Sequence, residues 1–166
     1  QGRQGMSVVN TDDEIMTLMK KYGTWYVPTI SAGKFVAAKA KIDGYYPEII
    51  RPKAARIGGQ IQDTFAQAYK AGVKIGFGTD QGVAPHGENA KEFGYMVEAG
   101  MPAAEAIQAA TLHAADLLGW KGKVGVVQAG AWGDLVGVTG DPTRDVTLLE
   151  HPVFVMKGGE TVKAPE

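Results

Sequence analysis

The clearest hydrophobic pattern in the chain is the apolar run Val73-Lys74-Ile75-Gly76-Phe77-Gly78-Thr79-Asp80, which ends on a carboxylate. Alternating β-branched and small residues of this kind are typical of a strand buried in a parallel sheet. In α/β folds the carboxyl ends of such strands carry the chemistry. A polar loop over 81–89 follows at once. The pattern therefore predicts that Asp80 lies at a functional edge of the sheet.

The segments before this strand alternate between helical and extended patterns. A Thr and a Glu at capping-box spacing begin the first of them, and Pro28 ends the strand that follows it. The predicted elements are a helix from 11–14 to Gly23, a strand over 24–29, a short helix or ordered loop over 33–44, and a long helix from about Pro52 to Gly72.

After the strand, the sequence pattern changes near Gly122 from helical spacing to short apolar runs separated by glycines. Two helices are predicted over 89–99 and 102–118, and the second is expected to bury Leu117 and Leu118. Beyond them the pattern predicts short strands separated by glycine turns, over 123–127, 135–138, 153–156 and 161–163. The Gly158-Gly159 pair supplies the positive φ angles that a tight hairpin between the last two strands needs.

Composition excludes several classes of protein. With 17 basic and 18 acidic side chains, the chain has no net field to attract nucleic acid or an anionic membrane. No apolar run approaches the roughly 20 residues of a membrane span. The absence of cysteine excludes disulfides and thiolate metal sites, and is consistent with a reducing compartment such as the cytoplasm.

Several motifs together resemble one enzyme family. They are Gly78-Thr79-Asp80, then Pro85-His86-Gly87 with Asn89 and Glu92, then Glu105-Ala106-Ile107-Gln108-Ala109-Ala110-Thr111, and Ala114-Ala115-Asp116-Leu117-Leu118-Gly119. In this order they resemble the carboxyl-terminal part of a metal-dependent amidohydrolase, of the imidazolonepropionase-like and Xaa-Pro dipeptidase-like branch. The resemblance runs from about Asp13 to Lys163.

The resemblance implies a fold and a division of the chain. The fold would be α/β, a partial (β/α)8 TIM barrel in which the strands over 24–29 and 73–80 are strands seven and eight, followed by part of a small β-sandwich. The corresponding boundaries are 11–121 for the barrel part and 122–166 for the sandwich part, with 1–10 a disordered start or a cloning remnant. A whole barrel takes roughly 250 residues, more than the 166 present.

The resemblance also implies the chemistry of Asp80. In the family the aspartate that ends strand eight binds a divalent metal, most often zinc, and takes a proton from the attacking water during hydrolysis of an amide bond. The remaining ligands, a His-x-His pair, a Lys or Glu and two further histidines, come from other strands. The three histidines here, His86, His113 and His151, are not at ligand spacing. The chain alone is therefore expected to bind no metal and to be inactive.

The other candidate residues have weaker support. His86 and Asn89 are predicted to bind substrate, on the resemblance, although a loop histidine without a role is equally compatible with the pattern of His86. His113 lies within a helical pattern, which favours a structural role, and His151 precedes a proline at a strand start. Glu88 and Glu92 recur at helical spacing and are interpreted as a solvated helix face.

Two other functions remain open at this stage. The chain could be a non-catalytic structural or assembly unit that keeps family sequence without the reaction. The glycines near Asp80 could also indicate a phosphate-binding α/β domain, although they lack the compact spacing of known phosphate loops. As partners we expect the missing amino-terminal part of the barrel, or copies of the chain itself, and a small amide substrate, but neither nucleic acid nor a membrane.

Overall fold

A computed structural model of the chain describes residues 13–165. Its helices are α1 (Asp13–Tyr22), α2 (Ile30–Lys39), α3 (Arg51–Lys70), α4 (Lys91–Glu98), α5 (Ala103–Gln108) and α6 (Ala114–Leu117). Its strands are β1 (Trp25–Tyr26), β2 (Lys74–Ile75), β3 (Leu135–Gly137), β4 (Phe154–Lys157) and β5 (Glu160–Lys163). A π-helical turn (Ala109–His113) joins α5 to α6, and a 3-10 helix (Val146–Glu150) precedes β4. The fold is therefore mixed α/β. The segment 1–10 and the first capping residue, Thr11, lie outside the described residues.

The strands β1 and β2 form a parallel pair. Trp25 lies opposite Lys74, and Tyr26 lies opposite Ile75. Parallel neighbours need a long crossover, and α2 and α3 provide it here. The two segments still lie close together beyond the paired residues. A Cβ at Gly78 would be only 2.4 Å from Val27 Cγ1. The predicted parallel strand is confirmed. Position 78 requires glycine because Val27 leaves no room for a Cβ there.

The strand predicted over 73–80 is paired as a strand only at Lys74–Ile75. The amide of Gly76 donates to the carbonyl of Tyr26 in β1. Because backbone groups alternate in direction along a strand, the N–H and C=O groups of residues 75 and 77 point to the edge of β2 that faces away from β1. On that edge the Phe77 amide donates to the Ala109 carbonyl at 3.1 Å, and His113 Nδ1 lies 3.2 Å from the Ile75 carbonyl. The π-helical turn therefore covers this part of the free edge of β2.

The larger of two apolar clusters lies between the parallel pair and the helices. Its buried members come from α2, α3, β2, α4, α5 and the segments next to them, namely Ile30, Phe65, Ile75, Met96, Met101, Ala106 and Ala109. A smaller cluster joins α1 to the end of α3 through Met16, Ala68 and Val73. The predicted helical face of α3 is confirmed at Phe65 and Ala68, which are buried.

The helical register after Gln108 differs from the prediction. Leu117 and Leu118 are 39% and 67% exposed, whereas Ala109 and Ala115 are buried. The π-helical turn inserts one extra residue into the helix, so the buried face shifts around the axis after it. A regular period of 3.6 residues could not predict this shift.

The carboxyl-terminal part is an antiparallel sheet in the order β3-β4-β5. The hairpin between β4 and β5 turns at Gly158 and Gly159, whose φ angles are 59° and 85°, as predicted. Asp134 fixes this turn by accepting from the Gly158 amide at 2.7 Å and from Lys157 Nζ at 2.6 Å. These hydrogen bonds lower the pKa of the Asp134 carboxyl.

The prediction of a strand over 123–127 is wrong. This segment consists of turns and bends apart from an isolated β-bridge between Val124 and Lys121, and Gly125 adopts a φ of 74°. A Cβ at Gly125 would lie 2.3 Å from the Thr111 carbonyl oxygen. The backbone is therefore in close contact with the helix and not with a neighbouring strand.

Candidate functional site

The carboxyl ends of β1 and β2 share an unusual backbone conformation. Thr29 follows β1 with φ 51°, and Asp80 follows β2 with φ 52°. Among the described residues they are the two non-glycine residues with positive φ. This conformation costs a non-glycine residue about 1–2 kcal/mol, and such residues concentrate at functional sites. The carboxylate singled out by the sequence thus lies, exposed, at a strained strand end.

Hydrogen bonds connect the two strand ends through Thr79. The Ser31 hydroxyl, in the first turn of α2, donates to the Thr79 carbonyl at 3.2 Å. On the other side, Asn89 Nδ2 donates to Thr79 Oγ1 at 3.2 Å. Thr79 is buried, so the bond from Ser31 is shielded from water, whereas the bond from the exposed Asn89 is only partly buried. The residue before Asp80 is therefore held by α2 and by the segment that leads into α4.

Glu92 is the site residue that sequence reasoning missed. Its side chain is fully buried, with an exposed fraction of 0%, so its assignment to a solvated face is wrong. Its two carboxylate oxygens accept from the amides of Ile30 at 2.8 Å and Ser31 at 2.7 Å. These are the first amides of α2, which need partners at a helix start. The local sequence carries no signal for this contact, because it joins residues about 60 positions apart.

The surroundings of Glu92 shift two pKa values. Burial raises the pKa of the Glu92 carboxyl, and the hydrogen bonds from Ser31 and Ile30 oppose part of that rise. Burial, and then the charge of Glu92, raise the pKa of Tyr26 to about 12. Both carboxylate oxygens accept hydrogen bonds, which is the pattern of the ionised form. The positive end of the α2 dipole stabilises that negative charge.

The loop over 81–90 contains the two predicted substrate-binding residues. His86 is exposed within it. Asn89 is also exposed, and its side-chain amide nitrogen bonds Thr79. The loop is closed locally, since Gln81 Nε2 donates to the Pro85 carbonyl and the Val83 amide donates to the Asp80 carbonyl at 3.2 Å. Asp80, His86 and Asn89 thus belong to one short connection between β2 and α4.

The remaining two histidines are not part of this loop. His113 bonds the Ile75 carbonyl and packs against Trp25, with ring centroids 5.7 Å apart, in agreement with the structural role predicted for it. His151 is exposed and ends the 3-10 helix. Between residues 13 and 165, no three His, Asp or Glu side chains are grouped closely enough to hold a metal ion. Among these residues, Asp80 therefore does not belong to a group of three potential metal ligands.

Comparison with known families decides the classification. The family model described as "Amidohydrolase family" matches residues 6–163. This chain belongs to the amidohydrolase family. The match covers both the parallel pair that carries Asp80 and the antiparallel sheet that follows it, so one family accounts for both parts of the described structure.

Solved structures show which amidohydrolases this chain resembles. The crystal structure of a Xaa-Pro dipeptidase with methionine bound in its active site is 54% identical, with a TM-score of 0.90, over 95% of this chain and 39% of that one. A prolidase complexed with N-methylphosphonate-L-proline is 28% identical, with a TM-score of 0.81, over 93% of this chain and 38% of that one. The chain resembles the Xaa-Pro dipeptidase branch.

A curated relative has no assigned function. An uncharacterised protein of Mycobacterium tuberculosis is 35% identical over 155 residues, which are 91% of this chain and 40% of that protein. The chain thus spans about two fifths of the length of the relatives that it matches. None of the helices between residues 13 and 165 combines the length and the hydropathy that crossing a bilayer requires.

Proposed function

We propose that this chain is the carboxyl-terminal part of a metal-dependent hydrolase that cleaves carbon-nitrogen amide bonds, in substrates such as dipeptides or N-acyl amino acids. The observation that carries the proposal is the position of Asp80, an exposed carboxylate at the strained carboxyl end of a parallel strand. The 54% identity to a Xaa-Pro dipeptidase supports the choice of substrate class.

In this proposal β1 and β2 are strands seven and eight of a (β/α)8 barrel. The parallel pairing and the helical crossover support this placement. Residues 11–121 then form the barrel part, and residues 122–166 contribute the sheet β3-β4-β5 to a β-sandwich. We call "complete enzyme" the protein in which the first six barrel strands accompany this chain. The partner that the chain requires is that amino-terminal part, or a copy of the chain itself.

The described residues supply one part of a metal site. Asp80 offers the oxygen donor that a divalent ion such as zinc accepts, and its exposure leaves it accessible to further ligands. Residues 13–165 do not hold a grouped set of three ligands, so the other ligands belong to the rest of the complete enzyme. When bound, a divalent metal polarises a carbonyl group and acidifies water.

The chain's own residues have separate roles in the reaction. The Asp80 carboxylate accepts the proton of the attacking water and returns it to the nitrogen that leaves. His86, exposed on the same loop, bonds a carboxylate or carbonyl of the substrate. Asn89 contributes to the substrate site while its amide nitrogen holds Thr79. The left-handed backbone at Asp80 sets the direction in which its carboxylate points.

The test is Asp80→Asn in the complete enzyme. Asparagine keeps the size of the side chain but cannot accept the proton, so we expect the turnover of a Xaa-Pro dipeptide to fall by several orders of magnitude while the fold is kept. Metal content is measured on both proteins by elemental analysis, and folding by circular dichroism. Turnover close to that of the wild type in the folded variant would show that Asp80 is not the proton acceptor.

The isolated 166-residue chain tests the alternative function. Since its described residues hold no grouped set of three ligands, a non-catalytic structural or assembly role is the second candidate. We expect the isolated chain to bind no stoichiometric zinc and to show no dipeptidase activity. Tight one-to-one zinc binding with measurable hydrolysis would contradict that expectation and assign the activity to this chain alone.

A further inference from the structure

The amino-terminal end of α2 is capped by a residue from another helix. Thr29, which precedes α2, makes no side-chain capping bond, although threonine is a common cap. The Ser31 hydroxyl donates instead to the Thr79 carbonyl. The Ile30 and Ser31 amides donate to Glu92, which lies in α4. The start of α2 is therefore fixed to α4 and to β2 by long-range contacts.

These contacts lie directly beside both strained residues. Thr29 immediately precedes Ile30, whose amide binds Glu92. Asp80 immediately follows Thr79, whose carbonyl binds the Ser31 hydroxyl. A left-handed non-glycine residue persists only when the surrounding structure holds it there. Glu92 is fully buried. It accepts hydrogen bonds from the amides of Ile30 and Ser31, which lie between Thr29 and Asp80 in the sequence.

We propose that Glu92 is a positioning residue for Asp80, acting through the start of α2 and Thr79 to hold the Asp80 backbone in its left-handed conformation. The inference rests on the proposed function, in which Asp80 takes part in the reaction. Glu92 itself is buried under α2 and does not contact the substrate. It controls the direction of the Asp80 carboxylate, which matters because a misplacement of about 1 Å can cost a factor of about 100 in rate.

Glu92→Gln in the complete enzyme is the first test. The amide of glutamine can accept from only one of the two backbone amides, and its NH2 group faces the other. We expect the kcat for a Xaa-Pro dipeptide to fall about 10-fold to 100-fold, with KM changed by less than about twofold, since Glu92 does not contact the substrate. Glu92→Asp keeps both acceptors on a shorter side chain, and we expect it to recover part of the lost kcat.

Glu98→Gln is the matched control. Glu98 lies on the same helix but is exposed, and its carboxylate contacts Gln62 and Lys34 instead of the amides at the start of α2. We expect wild-type kcat and KM from this variant. If Glu92→Gln lowers the melting temperature but keeps the wild-type kcat below it, Glu92 is only a structural cap and the inference is wrong.

Ser31→Ala covers the case in which Glu92→Gln does not fold. It removes the hydroxyl that binds Thr79 and leaves the buried carboxylate with both amides, so we expect a folded protein with a reduced kcat and an unchanged KM. Wild-type kinetics in Ser31→Ala would contradict the connection from α2 to Asp80.

A crystal structure of the folded variant separates this inference from the proposed function. We expect the φ angle of Asp80 to leave the left-handed region in Glu92→Gln, or in Ser31→Ala when the first variant does not fold. That result is independent of activity. An inactive wild-type enzyme would contradict the proposed amide hydrolysis, whereas an unchanged φ at Asp80 in the folded variant would overturn the positioning role of Glu92.

Discussion

Thr29 and Asp80 share one left-handed backbone conformation at the candidate site. Both lie at the carboxyl ends of neighbouring parallel strands, with φ angles that differ by 1° (51° and 52°). Glu92 in α4 binds the residue after Thr29, and Asn89 in the loop binds the residue before Asp80. The residues that hold Asp80 are thus mostly buried, whereas Asp80 itself is exposed. This is the arrangement expected when a rigid support presents one reactive group.

His86 provides a prediction at the residue scale. If it binds substrate and not metal, His86→Ala in the complete enzyme should raise KM, or change the preference among dipeptides, while the metal content stays constant. His151→Ala is the control, because His151 is also exposed but lies outside the loop. Loss of metal in His86→Ala would show that His86 is a ligand, and unchanged kinetics would leave it without a role in binding.

At the scale of elements, the position of α2 depends on a close crossing with α3. A Cβ at Gly33 would lie 3.3 Å from Gly58 Cα, and a Cβ at Gly58 would lie 2.9 Å from the Gly33 carbonyl oxygen. Both glycines are buried. The helices can approach to this distance because neither residue has a side chain. Since α2 begins at the end of β1, the crossing also fixes the helix start that Glu92 caps.

Adjacent glycines in α3 test the crossing. Gly58→Ala places a methyl group against the backbone of α2, and we expect it to lower the free energy of unfolding by about 1–3 kcal/mol. Gly59→Ala is the matched control, because a Cβ there has no neighbour within 4 Å. We expect it to be neutral or to stabilise the helix by up to about 1 kcal/mol. Denaturant unfolding of the complete enzyme measures both, and equal effects would contradict the crossing.

At the scale of the whole molecule, the described structure leaves apolar surface uncovered. An apolar cavity of about 540 Å³ lies between the helices and the sheet, with Phe93, Ile107, Leu135 and Leu149 among its walls. Val127 and Val136, which also line it, are 88% and 64% exposed. The π-helical turn covers part of the edge of β2, so the exposed edge is smaller than the sequence predicts.

This surface is the basis for a prediction of the oligomeric state. We expect the isolated 166-residue chain to associate with itself, or to aggregate, because exposed strand edges and apolar surface recruit other chains. Sedimentation velocity at low micromolar concentration measures this, with the complete enzyme as the control that gives a single boundary. A sharp monomer of 17.6 kDa that unfolds cooperatively would show that the chain is a self-contained fold.

The sequence by itself determined the elements whose patterns are local. The apolar run before Asp80 predicted a parallel strand, the glycine pair at 158–159 predicted the hairpin, and the order of motifs predicted the family. Apolar periodicity, positive φ and motif spacing are properties of neighbouring residues, so they can be read without knowing what packs against them. The role of Asp80 itself remains a prediction.

Only the tertiary structure decided the contacts that support the site. Glu92 has the helical spacing of a solvated residue, and it becomes buried because the start of α2 offers it two unpaired amides. The shift of the face after Gln108 and the loss of the strand over 123–127 likewise depend on what the π-helical turn contacts. These outcomes depend on partners up to 62 positions away, and a local pattern contains no information about such partners.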